Sequence, residues 1–218
     1  MHDTRKQTTD LDTLTARLRE KMRHNGITIA AVSGFAGAGK TTLCRSILKA
    51  LPDTAYHFEC DRFSRYSFKE REKRIAEQMA GSDKSAADEQ NPLHWYDWSE
   101  IEKALSALRK GRRFDFSRAW NPASGELDAH YALHLGEDEP VLVLCDGIFL
   151  LHEPVRDWFD ATIFVDCPAP LRKFRGRRRT KDPERHAYMM HLERTFGEPY
   201  FRDFSSCADN LYRVDASP

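Results

Sequence analysis

Short apolar runs alternate with amphipathic segments along most of the chain. ITIAAVS, VLVLCDG and ATIFVD are continuous runs rich in β-branched residues, as expected of strands buried on both faces of a parallel sheet. TAYHFEC is interpreted as a further strand that leads to Asp61, and NLYRVD as a last short one. The sequence therefore predicts four main strands, at 27–33, 54–60, 141–147 and 161–166.

Apolar residues at helical spacing mark the segments around these strands. Leu11, Leu14, Leu18 and Met22 lie on one helical stripe, and an Asn-Gly pair after them provides a stop. Further helices are predicted from the glycine-rich stretch to Ala50, at about 69–80, and from a capping box at Ser99–Glu102 to Gly111. Two more are predicted in the basic segment LRKFRGRRR and in PERHAYMMHLERTF.

Strands that alternate with helices indicate an α/β fold, a parallel sheet with helices on both faces. Two segments depart from this alternation. RRFDFSRAW and ELDAHYALHL flank NPASG, which predicts a β-hairpin, and GSDKSAADEQNP is typical of a mobile loop. We expect a tail and helix over 1–26 and a single domain over 27–218, in which 62–135 form inserts that bind the acceptor.

Composition and charge argue against several classes of protein. The 218 residues contain 34 Lys and Arg and 34 Asp and Glu, and this zero net charge argues against nucleic acid as the main partner. The 5 cysteines are scattered without CxxC spacing, which favours reduced thiols over disulfides or a zinc site. No signal peptide or membrane-spanning run is visible, so we expect a cytoplasmic protein with no membrane partner. Whether it forms a homo-oligomer stays open.

GFAGAGKTTLC satisfies the full Walker A pattern, between an apolar run and a helical segment. Its glycines let several backbone N–H groups point at one anion, and the helix N-terminus adds positive potential. The lysine can reach the β- and γ-phosphates of ATP, and the first threonine can ligate Mg²⁺. We predict a site for ATP and Mg²⁺ formed by Gly34, Gly37, Ala38, Gly39, Lys40, Thr41 and Thr42.

Acidic residues stand at the ends of three predicted strands. Ligands of open parallel sheets bind beyond the carboxyl ends of strands, so Asp61 and Asp146 are expected near the γ-phosphate. Phosphoryl transfer needs a carboxylate for magnesium and a base for the acceptor hydroxyl, although each acid could instead cap the next helix. Asp166 is interpreted as structural, because Cys167-Pro168 after it indicates a turn.

LRKFRGRRR is the densest positive stretch of the chain. Arg172, Arg175 and Arg179 recur at roughly helical spacing, so they would share one face. Such a face suits a closing lid over transferring phosphate, whereas a solvated helix or a nucleic-acid patch would show the same pattern. Beside a Walker A loop we favour a lid, in the region 169–195.

Several short motifs follow one another along the chain: GFAGAGKTT, Asp61-Arg62-Phe63, Phe114-Asp115-Phe116, Asp146-Gly147-Ile148, Phe164-Val165-Asp166, the three spaced arginines and Pro199-Tyr200-Phe201. This order resembles the uridine kinase branch of the phosphoribulokinase/uridine kinase superfamily, from about residue 27 to residue 215. The resemblance implies a P-loop kinase fold with an arginine-rich lid. It also implies that Asp61 is the base, that Asp146 supports Mg²⁺ or water, and that the lid arginines hold the ATP phosphates.

The acceptor half of the site departs from the family pattern. The hairpin tyrosine of the family is Phe114 here, a histidine expected after it is absent, and Gln90 stands where the family has an acid that holds ribose hydroxyls. Uridine or cytidine is our first hypothesis for the acceptor; pantothenate, nicotinamide riboside, glycerate or a sugar are alternatives. A non-kinase nucleotide-binding regulator also stays open. Acceptor contacts are predicted at Tyr66, Gln90, Trp95, Phe114, Asp115 and Arg118.

Overall fold

The computed structural model of the protein describes residues 8–80, 90–137, 140–180 and 182–214. The chain divides into two compact units, one formed by Met1–Phe58 with Gly136–Pro218 and the other by Glu59–Leu135. Most of the predicted mobile loop, residues 81–89, lies outside the described residues.

All the predicted helices and strands are present. The strands are β1 (Ile27–Ser33), β2 (Ala55–Glu59), β3 (Arg113–Ala119), β4 (Ala129–His134), β5 (Val141–Gly147), β6 (Ala161–Asp166) and β7 (Asn210–Arg213). The described helices are α1 (Leu11–Asn25), α2 (Lys40–Ala50), α3 (Phe68–Ala80), α4 (Trp98–Gly111), α5 (Ala169–Arg179), α6 (Pro183–Leu192) and α7 (Glu198–Phe204). One π-helical turn, Glu193–Gly197, joins α6 to α7.

A five-stranded sheet with the order β2-β5-β1-β6-β7 forms the centre of the first unit. β1 pairs in parallel with β5 and β6, and β6 pairs in parallel with β7. Ala30 and Val32 belong to the core that α1 and α2 cover, and the alternate residues Ile29 and Ala31 are also fully buried. Both faces of β1 are therefore covered, and the predicted α/β fold with a mostly parallel sheet is confirmed.

The register of the central strands places two predicted site segments side by side. Val32 lies opposite Asp146, and Ser33 lies opposite Gly147. The phosphate loop begins at the next residue, Gly34, so it starts beside the carboxyl end of β5. This is the edge of the sheet at which α/β proteins bind their ligands.

The predicted stripe of α1 is confirmed. Leu14, Leu18 and Met22 are buried in the core of the first unit. Asp10 caps the helix through a hydrogen bond from the Thr13 N–H. The predicted stop is also observed, because a left-handed Gly26 (φ 71°) donates its N–H to the Met22 carbonyl.

The second unit contains the predicted β-hairpin of antiparallel strands β3 and β4, together with α3 and α4. An aromatic cluster holds it together. Phe63 stacks on Phe116 with ring centres 4.8 Å apart, and Tyr131 meets the edge of Phe114 at 5.4 Å. The alternating pattern of the hairpin thus gives this unit an apolar centre of its own.

The start of α4 differs from the sequence prediction. The predicted capping box begins at Ser99, but the N-cap residue is Asp97, whose carboxylate accepts a hydrogen bond from the Glu100 N–H. Aspartate caps a helix at least as well as serine, and the helix starts earlier because Trp98 takes the first helical position. The predicted cap was therefore wrong by two residues.

Replacing the observed cap should destabilise the protein, whereas replacing the predicted one should not. We expect Asp97→Ala to lower the free energy of unfolding by about 1 kcal/mol, because the first turn of α4 loses its acceptor. Ser99→Ala, at an exposed position, should change it by less than about 0.5 kcal/mol. Urea unfolding followed by circular dichroism measures both, and Asp97→Asn is the matched control that keeps the cap. A larger effect of Ser99→Ala would contradict the assignment.

Candidate functional site

The loop between β1 and α2 is a backbone cradle suited to a phosphate group. Gly37 (φ 77°) and Gly39 (φ 102°) adopt left-handed conformations that other residues disfavour. A Cβ at Gly37 would lie 3.2 Å from the Arg172 carbonyl oxygen, so the close approach of α5 also favours glycine. No side chain caps α2, which leaves its first N–H groups to an anion.

Lys40 and Thr41 begin α2. The Lys40 ammonium donates to the carbonyl oxygens of Gly34 (2.9 Å) and Phe35 (3.1 Å), so it lies over the loop. The Thr41 hydroxyl donates to Asp146 Oδ2 at 2.7 Å. A hydroxyl and a carboxylate are oxygen donors of the kind that Mg²⁺ prefers, so these two residues fit a magnesium ion shared with phosphate oxygens.

Asp146 is a buried carboxylate, with 9% of the residue exposed. Its second oxygen, Oδ1, lies 3.1 Å from His57 Nε2 on β2. Burial opposes ionisation, but the hydrogen bond and charge of His57, the Thr41 hydroxyl and the charge of Lys40 together hold the Asp146 pKa below its ordinary value. The carboxylate is therefore charged at neutral pH, the state that binds a dication.

The first turns of α5 are anchored to the first unit. Arg172 is buried, forms a 2.8 Å ion pair with Glu193 and donates to the Cys167 carbonyl at 2.7 Å. Its guanidinium also lies 3.9 Å from the centre of the Phe35 ring. Protein groups thus surround this arginine, and the expected contact of Arg172 with ATP stays a prediction.

Arg175 also contacts the phosphate loop, one turn further along α5. Its Nη1 lies 3.1 Å from the Gly37 carbonyl oxygen and 3.3 Å from that of Ala38. Arg179, at the end of the helix, is exposed. The basic helix is therefore anchored through its start and middle, and its last turn presents its positive charge to solvent.

Asp61 lies in the second unit, in a 3₁₀ turn that follows β2 directly. The residue is exposed, and the buried Tyr96 donates its hydroxyl to Asp61 Oδ1 at 2.8 Å. One oxygen of the carboxylate is therefore oriented by a group of the same unit. The predicted role of Asp61 as base stays a prediction.

The predicted acceptor residues have different surroundings within the second unit. Phe114 is buried in the aromatic cluster. Asp115 is exposed, and its Oδ1 lies 2.6 Å from His130 Nε2. Guanidinium groups lie over two of the predicted aromatic rings, Arg74 over Tyr66 at 4.4 Å and Arg71 over Trp95 at 4.2 Å. Gln90 is half-buried and Arg118 is exposed. Their contacts with an acceptor stay predictions.

Three contacts of these site residues were not predicted from the sequence. His57 and Glu193 pair with Asp146 and Arg172 across long sequence separations, and only the packing of the fold brings each pair together. Tyr96 orients Asp61 from 35 residues away. Two features of the sequence could have suggested the hydrogen bond between Tyr96 and Asp61. Tyr96 lies in a segment rich in aromatic residues, and a carboxylate after a strand end can accept a hydrogen bond from a nearby hydroxyl.

Comparisons with known proteins agree with this fold. A model of the phosphoribulokinase/uridine kinase family matches residues 29–180, more than half of the chain. None of the curated proteins matches the chain. Within the described ranges, no helix is both long and apolar enough to cross a membrane.

Three solved structures show the same fold at low sequence identity. One, described as a possible uridine kinase from Bacillus stearothermophilus, is 15% identical, with a TM-score of 0.60 over 91% of this chain and 98% of that one. D-glycerate 3-kinase from Cryptococcus neoformans is 10% identical, with a TM-score of 0.62 over 94% of each chain. Phosphoribulokinase from Rhodobacter spheroides is 15% identical, with a TM-score of 0.57 over 89% of this chain and 74% of that one.

Three findings agree: the Walker A loop that follows β1, the mostly parallel sheet in the order β2-β5-β1-β6-β7, and the family match over residues 29–180. The chain belongs to the phosphoribulokinase/uridine kinase family and has its P-loop kinase fold.

Proposed function

We propose that the protein transfers the γ-phosphoryl group of ATP to a hydroxyl group of a small molecule. Membership of a kinase family supports a phosphotransferase, and such kinases in general use ATP with Mg²⁺. The observation that supports the proposed phosphoryl transfer most directly is the hydrogen bond that the Thr41 hydroxyl donates to Asp146, beside Lys40. It assembles two oxygen donors for magnesium at the N-terminus of the helix that follows the phosphate loop.

Each residue of the phosphate half has a proposed role. The loop N–H groups and Lys40 hold the β- and γ-phosphates, and Thr41 and Asp146 hold magnesium. When bound, magnesium supplies positive charge that stabilises the negative charge developing on the phosphates. Arg175, which donates to the carbonyl oxygens of Gly37 and Ala38 in the loop, and the exposed Arg179 are the lid cations that stabilise the transferring group.

Asp61 is the proposed general base. It stands two residues after the end of β2, and open α/β sheets bind ligands beyond the carboxyl ends of their strands. The hydrogen bond from Tyr96 fixes the orientation of the carboxylate. A carboxylate so oriented can accept the hydrogen bond of the acceptor hydroxyl and then its proton.

A nucleoside such as uridine or cytidine is the proposed acceptor, in the cytoplasm. The resemblance of the hairpin and strand-end motifs to uridine kinases supports it. Phe114 and Gln90 lack the hydroxyl and the acid of those enzymes, so pantothenate, nicotinamide riboside, glycerate and sugars are the competing acceptors. The residues proposed to contact the acceptor are Tyr66, Gln90, Trp95, Phe114, Asp115 and Arg118.

The experiment that tests the function incubates the purified protein with ATP, Mg²⁺ and a panel of these hydroxyl compounds, and measures ADP formation and the phosphorylated product. We expect one class of acceptor to be phosphorylated. A nucleotide-binding regulator would instead bind Mg²⁺–ATP and phosphorylate none of them. That outcome would overturn the proposal.

Lys40→Ala should lower turnover of the best acceptor by about 10²- to 10³-fold, because a donor to the developing phosphate charge is lost. Lys49→Ala, which removes an exposed lysine at the other end of α2, is the matched control and should leave turnover unchanged. Circular dichroism checks that both variants are folded. Normal turnover by folded Lys40→Ala would contradict the assigned role.

Asp61→Asn should lower turnover by about 10²- to 10⁴-fold while the affinity for Mg²⁺–ATP is kept, because an amide can orient the acceptor hydroxyl but accepts its proton poorly. Asp53→Asn is the control, an exposed acid whose left-handed backbone asparagine tolerates. Turnover and calorimetric Mg²⁺–ATP affinity are measured on the same preparations. If Asp61→Asn chiefly weakened Mg²⁺–ATP binding, Asp61 would be a magnesium ligand; if it changed neither quantity, the base would lie elsewhere.

A further inference from the structure

Three side chains of different chemistry converge beside the proposed magnesium carboxylate. Cys44 comes from α2, His57 from β2 and Asp146 from β5, and their ligand atoms all lie within 4.8 Å of one another. Cys44 follows Thr41 by three residues, so both lie on the face of α2 directed at Asp146. The cluster belongs entirely to the first unit.

The two oxygens of Asp146 face different partners. Oδ2 accepts from the Thr41 hydroxyl at 2.7 Å, whereas Oδ1 lies 3.1 Å from His57 Nε2. Oδ2 and the Thr41 hydroxyl are both oxygen donors, which suit a hard ion such as Mg²⁺. Oδ1 faces an imidazole nitrogen, and Cys44 adds a sulfur within 4.8 Å of the other ligand atoms. Nitrogen and sulfur are the ligands that zinc and similar transition ions prefer.

The spacing of these atoms is close to that of a zinc site. Zinc–ligand bonds of about 2.0–2.3 Å in a tetrahedral arrangement place neighbouring ligand atoms about 3.2–3.8 Å apart. The cluster therefore closes around one ion with movements of about 1 Å, within reach of side-chain rotation. Cys44 is fully buried, but the side chains of His57 and Asp146 are 18% and 12% exposed, so an ion enters from their side.

We propose that Cys44, His57 and Asp146 form a binding site for a soft divalent ion such as Zn²⁺, and that this ion excludes Mg²⁺–ATP. On binding, the Cys44 thiol and the N–H that His57 directs at Asp146 each lose a proton, which passes to solvent; the thiolate and the freed imidazole nitrogen then bond to the metal with no change of oxidation state. A dication on Oδ1 repels magnesium on Oδ2 of the same carboxylate. Only this antagonism rests on the proposed kinase function; the metal site itself does not.

The absence of CxxC spacing argued against zinc at the level of the sequence. CxxC spacing is typical only of zinc sites whose ligands are close in sequence. Here the three ligands come from separate elements, 13 and 89 residues apart, and are joined only by the packing of α2 and β2 around the end of β5. Three protein ligands with an open fourth position is the arrangement of catalytic zinc sites, whereas structural sites have four protein ligands.

Cobalt absorption tests the site directly. Full-length protein freed of metal with a chelator is titrated with Co²⁺, and we expect a thiolate-to-cobalt charge-transfer band that Zn²⁺ abolishes. Cys44→Ala should lose the band, and Cys145→Ala should keep it, because Cys145 is a buried β5 thiol outside the cluster. No band in the wild-type protein, or a band retained by Cys44→Ala, would overturn the site.

Calorimetry with Zn²⁺ gives a second measurement that spares the buried thiol. His57→Gln keeps Cys44 and should weaken Zn²⁺ binding by at least about 10-fold, the loss caused even by removing an outer partner of a metal site. Unchanged affinity would overturn the site even if Cys44→Ala failed to fold. For the antagonism, Mg²⁺ with a nonhydrolysable ATP analogue should weaken Zn²⁺ binding to the wild type. Unchanged Zn²⁺ affinity, with the analogue shown to bind, would overturn the antagonism.

Discussion

The rest of the site depends on one electrostatic constraint, the burial of the Asp146 carboxylate at the end of a central strand. A buried charge is costly unless polar partners surround it. The partners here come from two other elements, Thr41 at the start of α2 and His57 on β2. Hydrogen bonds to this carboxylate therefore fix the beginning of α2 against the sheet, and they leave a charged oxygen beside the phosphate loop.

The loop itself is held from the opposite side by the basic helix. Left-handed glycines let its backbone approach α5, and Arg175 donates to two of its carbonyl oxygens. Arg172 contributes through the buried pair with Glu193 in the π-helical turn, an irregularity that often marks functional positions. The arginines of α5 thus divide into two groups. Those at its start and middle contact the phosphate loop or the residues beside it, and those at its end are exposed to solvent.

The strands and the phosphate loop could be predicted from the sequence because their information is local. β1, β5 and β6 occupy the predicted residues, because a continuous apolar run is typical of a strand that is buried on both faces of a parallel sheet. The cap of α4 was wrong because Asp97 and Ser99 are both good caps two residues apart, and local pattern does not rank them. The contacts of Arg172 and Asp146 could not be predicted, because Glu193 and His57 reach them only through tertiary packing.

If Asp146 holds magnesium as proposed, ATP binding should depend on magnesium through this carboxylate. The most direct test is to compare ATP affinity with Mg²⁺ and with a chelator, by calorimetry, in the wild type and in Asp146→Asn. We expect Mg²⁺ to tighten ATP binding to the wild type, and to do so at least about 10-fold less in Asp146→Asn, because the amide carries no charge for the ion. An equal effect of Mg²⁺ on both folded proteins would contradict it.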